Sequence, residues 1–310
     1  IVSPIDILPR NGTWTNQTEI NLYGQVEENS TILVRAQDPS SNFTTNEIRP
    51  NVTNGTFSIK VGLHNGTNLF RIDILDGFGN NATGYITIIQ DRSAPFLNIT
   101  SPTEREVYTR ERRLMLEGQT EPGASLYLNG RLVLVEDGSF SKPLTLDLGE
   151  NVLNITAVDA AGNSVSVVYK AILDRTPPML LLSSPRPVPS GKTLGTDQGT
   201  LKIRGTTESD ALVYISVNGK PENNGKPVTV DAFGGFRRDV QLKKGYNTIE
   251  ITALDRAGNA QVDHRAVRYE PAPPLISNGQ LVALIVVIGM VVGLVAVVAW
   301  QALQSLAASR

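Results

Sequence analysis

Apolar and polar residues alternate with period two along most of the first 270 positions. Leu153, Ile155 and Ala157 fall on one side of an extended chain, Asn154 and Thr156 on the other. Phe70, Ile72 and Ile74 stand against Arg71 and Asp73 in the same way, and Ile249, Ile251 and Ala253 against Glu250 and Thr252. A strand with one buried face has this signature. Leu114 and Leu116, Ile20 and Leu22, and Leu201 and Ile203 predict a further strand before each of these. Asn129-Gly130 and Asn218-Gly219 lie between apolar runs and predict tight hairpins of the primed-turn kind. No helical period precedes residue 276. The pattern then changes: residues 281–300, LVALIVVIGMVVGLVAVVAW, carry no charge and no strong helix breaker. At 1.5 Å rise per residue such a run spans about 30 Å, the thickness of a bilayer's hydrocarbon core.

The strands belong to repeats. GQVEEN, GQTEPG and GTTESD open on Gly24, Gly118 and Gly205, and an Asp-x-x-Gly-Asn phrase starts at Asp76, Asp159 and Asp255. Two near-identical seams, DRSAP from Asp91 and DRTPP from Asp174, separate the units, and each leads to a Ser-Pro step. The boundaries read as 1–95, 96–178 and 179–270, followed by a Pro-rich linker at 271–280, a membrane helix at 281–303 and a short tail at 304–310. Units of ~90 residues with short strands and frequent turns fit two-sheet sandwiches. The charged stretch TEREVYTRERR at 103–113 reads as a polar loop leading into a strand.

Composition narrows the classes. Net charge is −2 over 310 residues, which argues against nucleic acid as a main partner, and there is no cysteine. That excludes a disulfide scaffold or a thiolate metal site, but not export. The chain begins at Ile1, so either a leader has been removed or the sequence continues upstream. The units, best seen in GQTEPGASLYLNG, DGSFSKPLTLDLGENVLNITAVDAAGN and LDRTPP, resemble the bacterial and archaeal immunoglobulin-like repeats of cell-surface proteins, over about residues 5–270. The resemblance implies an all-β fold of three tandem immunoglobulin-like sandwiches before a single transmembrane helix. It implies roles as spacers, adhesion modules or accessory domains of secreted enzymes.

Candidate sites are few. Asp-x-x-Gly-Asn reads first as a turn, because Asp accepts from backbone N–H groups two residues on and Gly tolerates positive φ. The rival reading is calcium, with Asp76, Asp91, Asp159, Asp174 and Asp255 supplying oxygens; calcium wants six to eight, and the cluster is thin. Asn-x-Ser/Thr sequons occur at Asn11, Asn16, Asn29, Asn42, Asn51, Asn54, Asn65, Asn81, Asn98 and Asn154. Eight crowd the first unit, two lie in the second and none in the third. N-linked glycans therefore concentrate far from the helix, on an exported chain. Formal charge runs along the same axis: −3, −3 and +3 in the three units. Arg237, Arg238, Lys243 and Lys244 form a basic contact surface in the bare unit, suited to anionic headgroups or a neighbouring protein. Gly289 and Gly293 make a Gly-x-x-x-Gly step that lets two helices approach and a homo-oligomer form. Catalytic residues and cofactors are not expected. The histidines, His64 and His264, lie in different units, and no phosphate loop or nucleophile elbow occurs.

These features describe a single-pass cell-membrane protein with residues 1–275 outside. Its expected function is an anchored stalk or scaffold of an envelope, with the absence of cysteine and the sequons suggesting an archaeal one. Three sandwiches in series would reach roughly 100 Å. Expected partners are the lipid bilayer and other envelope or membrane proteins. Two alternatives are an accessory subunit of a membrane enzyme or transport complex, and a carbohydrate-binding adhesin using Trp14 and Tyr23.

Overall fold

A computed structural model describes residues 7–37, 44–189, 192–272 and 278–307. Residues 1–176 with 256–259 form one compact unit, and residues 177–255 with 260–310 form another. The described residues make three β-sandwiches and one helix, as the period-two pattern and the apolar run require.

Each sandwich pairs a three-stranded sheet with a five-stranded one in the same order. In the second sandwich the small sheet runs Ser139–Thr145, Arg113–Thr120, Leu97–Ser101. The large sheet runs Glu106–Thr109, Ser164–Leu173, Gly149–Val158, Ser125–Leu128, Arg131–Val133. The third repeats this with Leu181–Ser184, Thr200–Thr206, Gly235–Gln241 against Leu194–Thr196, Ala260–Tyr269, Gly245–Leu254, Leu212–Val217, Lys220–Pro221. The first uses Ile7–Leu8, Glu19–Gln25, Thr56–Gly62 against Thr13–Thr15, Asn81–Gln90, Gly66–Leu75, Thr31–Gln37, Thr44–Ile48. Neighbours are antiparallel except at one edge of each large sheet. There a short strand such as Glu106–Thr109 lies parallel to the long final strand. This corrects the expectation of a loop at 103–113. Four residues with only Val107 packed on the core are too few to show alternation.

The cores follow the alternation. Leu153, Ile155 and Ala157 point inward from Gly149–Val158 and are buried, while Asn154 faces out. Ile249, Ile251 and Ala253 do the same in the third sandwich, and Phe70, Ile72 and Ile74 in the first. Each fully buried Ile or Leu contributes roughly 1.5–3 kcal/mol. Asn129-Gly130 and Asn218-Gly219 have positive φ at both positions (48° and 76°, 55° and 72°), the two-residue primed hairpin expected.

The Gly that opens the repeat phrase in the second and third sandwiches has a packing reason. Gly205 sits opposite Phe236 across the small sheet, and Gly118 opposite Phe140. A Cβ on Gly205 would lie 2.6 Å from both the Phe236 ring and the Leu181 carbonyl oxygen; on Gly118 it would lie 2.6 Å from the Phe140 ring. The missing side chain lets the ring fold across the strand. Gly205→Ala is therefore expected to destabilise the third sandwich by about 1–3 kcal/mol through overpacking. Gly195→Ala, where a Cβ meets nothing within 4 Å, should leave its melting transition unmoved. Calorimetric scans of the two variants check this.

Candidate functional site

The recurring Asp-x-x-Gly-Asn phrase folds into one turn. Asp159 Oδ1 accepts from the Asn163 backbone N–H (2.8 Å) and Oδ2 from the Asn163 side-chain amide (2.8 Å). Asp76 holds Asn80 in the same way, at 2.8 and 2.7 Å, and also accepts from Phe78 N–H (2.9 Å). The glycines Gly79, Gly162 and Gly258 all have positive φ, which a residue with a Cβ rarely adopts.

The turn also fastens a seam. The second amide proton of Asn163 goes to the main-chain carbonyl of Asp91, 3.0 Å away and 72 residues earlier. Asn259, within the same compact unit, donates to the carbonyl of Asp174 at the same 3.0 Å. Asp91 and Asp174 in turn each spend a carboxylate oxygen on the backbone N–H two residues on, at Ser93 and Thr176 (2.9 Å in both). The seam Asp thus caps its own turn and offers its carbonyl to the following Asn. The predicted turn reading identified the Asp and Gly but missed the reach of Asn; the only signal was that seam and turn recur together.

For calcium, the carboxylate oxygens of Asp76 and Asp159 are already engaged, and no group of three or more His, Asp or Glu gathers among the described residues. The four basic residues separate into two places. Arg237 and Arg238 lie in the strand Gly235–Gln241, Arg237 outward and Arg238 half-buried near Glu222. Lys243 and Lys244 are exposed in the turn that follows. Trp14 and Tyr23 are both about half exposed, but they belong to different sheets and form no common platform. His64 is exposed, and His264 sits across from Glu250 on a solvated strand pair. The helix Asn278–Ala307 contains an apolar window, Ile285–Ser305, with mean hydropathy 2.5 and nothing in it buried. A Cβ on Gly289 or Gly293 would touch nothing within 4 Å, so that face is open.

Residues 95–174 and 178–270 each match the family described as Glucodextranase, domain B, and together cover more than half of the chain. The protein belongs to this family. Bacillopeptidase F of Bacillus subtilis (strain 168) is 28% identical over 87% of the chain. The PII-type proteinase of Lactococcus lactis subsp. cremoris is 24% identical over 71%. The chain spans only 18% and 13% of the lengths of these two relatives. Among solved structures, the fibronectin(III)-like modules of Clostridium thermocellum CbhA align over 57% of this chain and 95% of theirs, at 18% identity and a TM-score of 0.40.

The two glucodextranase domain B repeats carry only Asn98 and Asn154 as sequons, both exposed on strands. In the preceding sandwich Asn11, Asn29, Asn51, Asn54, Asn65 and Asn81 are exposed, and Asn42 lies outside the described residues. Asn16 is half-buried, its amide nitrogen 3.8 Å from where a Cβ on Gly162 would stand.

The seam makes two expectations. Asn163→Ala removes two side-chain hydrogen bonds, to the Asp91 carbonyl and to Asp159 Oδ2, each worth about 1 kcal/mol. It should loosen the first two sandwiches against each other without unfolding either, as residual dipolar couplings would report. Burial raises the Asp159 carboxyl, but the Asn163 side-chain bond and the backbone bonds outweigh it and hold it below its ordinary 3.8. A lowered folded pKa contributes stability that is complete above the ordinary carboxylate range and is lost as pH falls through the depressed value. Melting temperature should therefore fall below pH ~4. Asp159→Asn should melt lower at pH 7 and show less of that acid dependence, by scans at pH 7, 4 and 3.

Proposed function

We propose that the chain is the anchored, non-catalytic stalk of an extracellular protein, its sandwiches held at a membrane by the C-terminal helix. The observation that carries this reading is the helix Asn278–Ala307, uncharged and unburied through its apolar window, directly after three sandwiches. A helix apolar on all sides needs either a protein layer or lipid to cover it, and the sandwiches bury their apolar residues in their own cores. The sequon gradient supports an extracellular location with glycans on the first sandwich. With ten sequons and no cysteine, an N-glycosylating envelope of the archaeal kind is the setting we infer. The open Gly289–Gly293 face supports helix pairing within the bilayer. The Asn163–Asp91 bond suits a spacer, because it limits bending between the first two sandwiches.

The match to a small part of two much longer proteinases favours a second reading within this one: the stalk holds an activity carried by another part of the polypeptide. The chain itself is then an accessory segment with no chemistry of its own.

Removing residues 276–310 should release the protein from the membrane fraction into the soluble one, with melting of the sandwiches unchanged. Intact cells treated with protease and glycosidase should expose the first sandwich to both. A truncated protein that stays membrane-bound after carbonate washing would sink the anchor.

A further inference from the structure

The third sandwich departs from its two sisters at one place on the outer face of its small sheet. Arg204 and Arg237 are register partners on adjacent antiparallel strands, one step beyond the Gly205–Phe236 pair. Side chains directly opposite each other stand about 4.5–5.5 Å apart at Cβ, and like charges there are destabilising. The equivalent pair is Tyr23 and Ser58 in the first sandwich and Glu117 and Ser141 in the second. Ser141 there donates to Glu117 at 3.0 Å. The fold therefore works without two arginines, and it does not neutralise them. Neither has an ion-pair partner among the described residues, and Asp239 on the same face is set opposite a third base, Lys202.

The pair lines a groove of 690 Å³ together with Arg238, Ser183, Asn223 and Thr229. Arg238 Nε is buried with no hydrogen-bond partner, although its Nη2 comes within 4.0 Å of Glu222. Asp231 also lines the groove, but its Oδ1 is taken by the N–H groups of Phe233 and Gly235.

We propose that this groove binds an acidic saccharide, the paired guanidinium groups taking a sugar carboxylate. Guanidinium groups match a carboxylate in planar, bidentate fashion. Ser183 and Asn223 donate to main-chain carbonyls of Arg204, Lys226 and Pro227 and keep their oxygens as acceptors for sugar hydroxyls, and Thr229 suits them as donor and acceptor. The volume is that of a small-molecule site and exceeds what one inorganic anion fills. A glycerol-lipid headgroup presents an anion and hydroxyls as well, so phosphatidylglycerol is one of the comparison ligands. The inference is independent of the membrane anchor.

The test is calorimetric titration of the full chain in detergent with an oligogalacturonate at fixed ionic strength. Neutral maltotriose, sodium sulfate, a polyglutamate peptide and detergent micelles containing phosphatidylglycerol are the comparison ligands. The uronate should bind, and the double variant Arg204→Glu, Arg237→Ser, which installs the second sandwich's pair, should weaken it by about tenfold or more. The free double variant should melt higher than the parent, because the like-charge pair is gone. Thr229→Ala, which removes a groove hydroxyl, should weaken the uronate and leave any sulfate binding unchanged. Equal binding of sulfate, polyglutamate or phosphatidylglycerol, equal binding of the neutral sugar, or undiminished uronate affinity in the double variant would each overturn the proposal. A double variant that melts lower than the parent would overturn its premise.

Discussion

One-sided burial of long paired strands holds this protein together. No cysteine is present to cross-link it, so each sandwich depends on every second residue of its strands reaching the opposite sheet. Gly149–Val158 and Ser164–Leu173 pair over their full length, and a slip of one residue would turn Leu153, Ile155 and Ala157 out to water. The constraint acts only on the inner face. Residues that point outward are released from it, and they are where the three sandwiches differ: a sequon at Asn154, a Ser–Glu bond at 141 and 117, two arginines at 204 and 237.

Joining such modules poses a separate problem, because a chain leaving one sheet has main-chain groups with no strand to pair with. The seam solves it with side chains. Asp91 caps the turn that follows it, and its carbonyl is taken up by Asn163. Asp174 does the same with Thr176 and Asn259. Each contact is modest, on the order of 1 kcal/mol. The Asn163 bond acts on angle more than on stability, since it ties a turn of the second sandwich to the exit of the first. A spacer gains from that restriction; a flexible linker would not need the motif at all.

How much of this was legible before any coordinates follows from the range of each interaction. Period-two alternation lies within ten residues, so the long strands and their buried faces could be read directly, as could the two Asn-Gly hairpins and the apolar helix. The edge strand Glu106–Thr109 could not, because its place comes from main-chain pairing with Ser164–Leu173 rather than from its own side chains. Asn163 was visible as part of a turn, but its partner lies in another repeat. Arg237 stood out as part of a basic run, whereas Arg204 did not. Only the strand register brings the two together and separates both from Lys243 and Lys244. Trp14 and Tyr23, close in sequence, were parted by the same geometry, since successive strands join different sheets.

The distribution of sequons bears on the arginine pair. In the second sandwich Asn98 is exposed on the edge strand Leu97–Ser101 of the small sheet, next to the residue that pairs with Gly118. Its register equivalent in the third sandwich is Leu181, next to the residue that pairs with Gly205. A glycan at that position would overhang the face on which Arg204 and Arg237 stand, and would compete with any ligand for their groove. The third sandwich is thus the one whose small sheet combines two arginines without a direct ion pair, a groove and no glycan acceptor. Positive charge alone is explained by a solvated surface, and a missing sequon alone by composition. Their coincidence on one face, at a position where the sister sandwiches show the fold needs neither arginine, is what distinguishes a binding surface from a merely basic one.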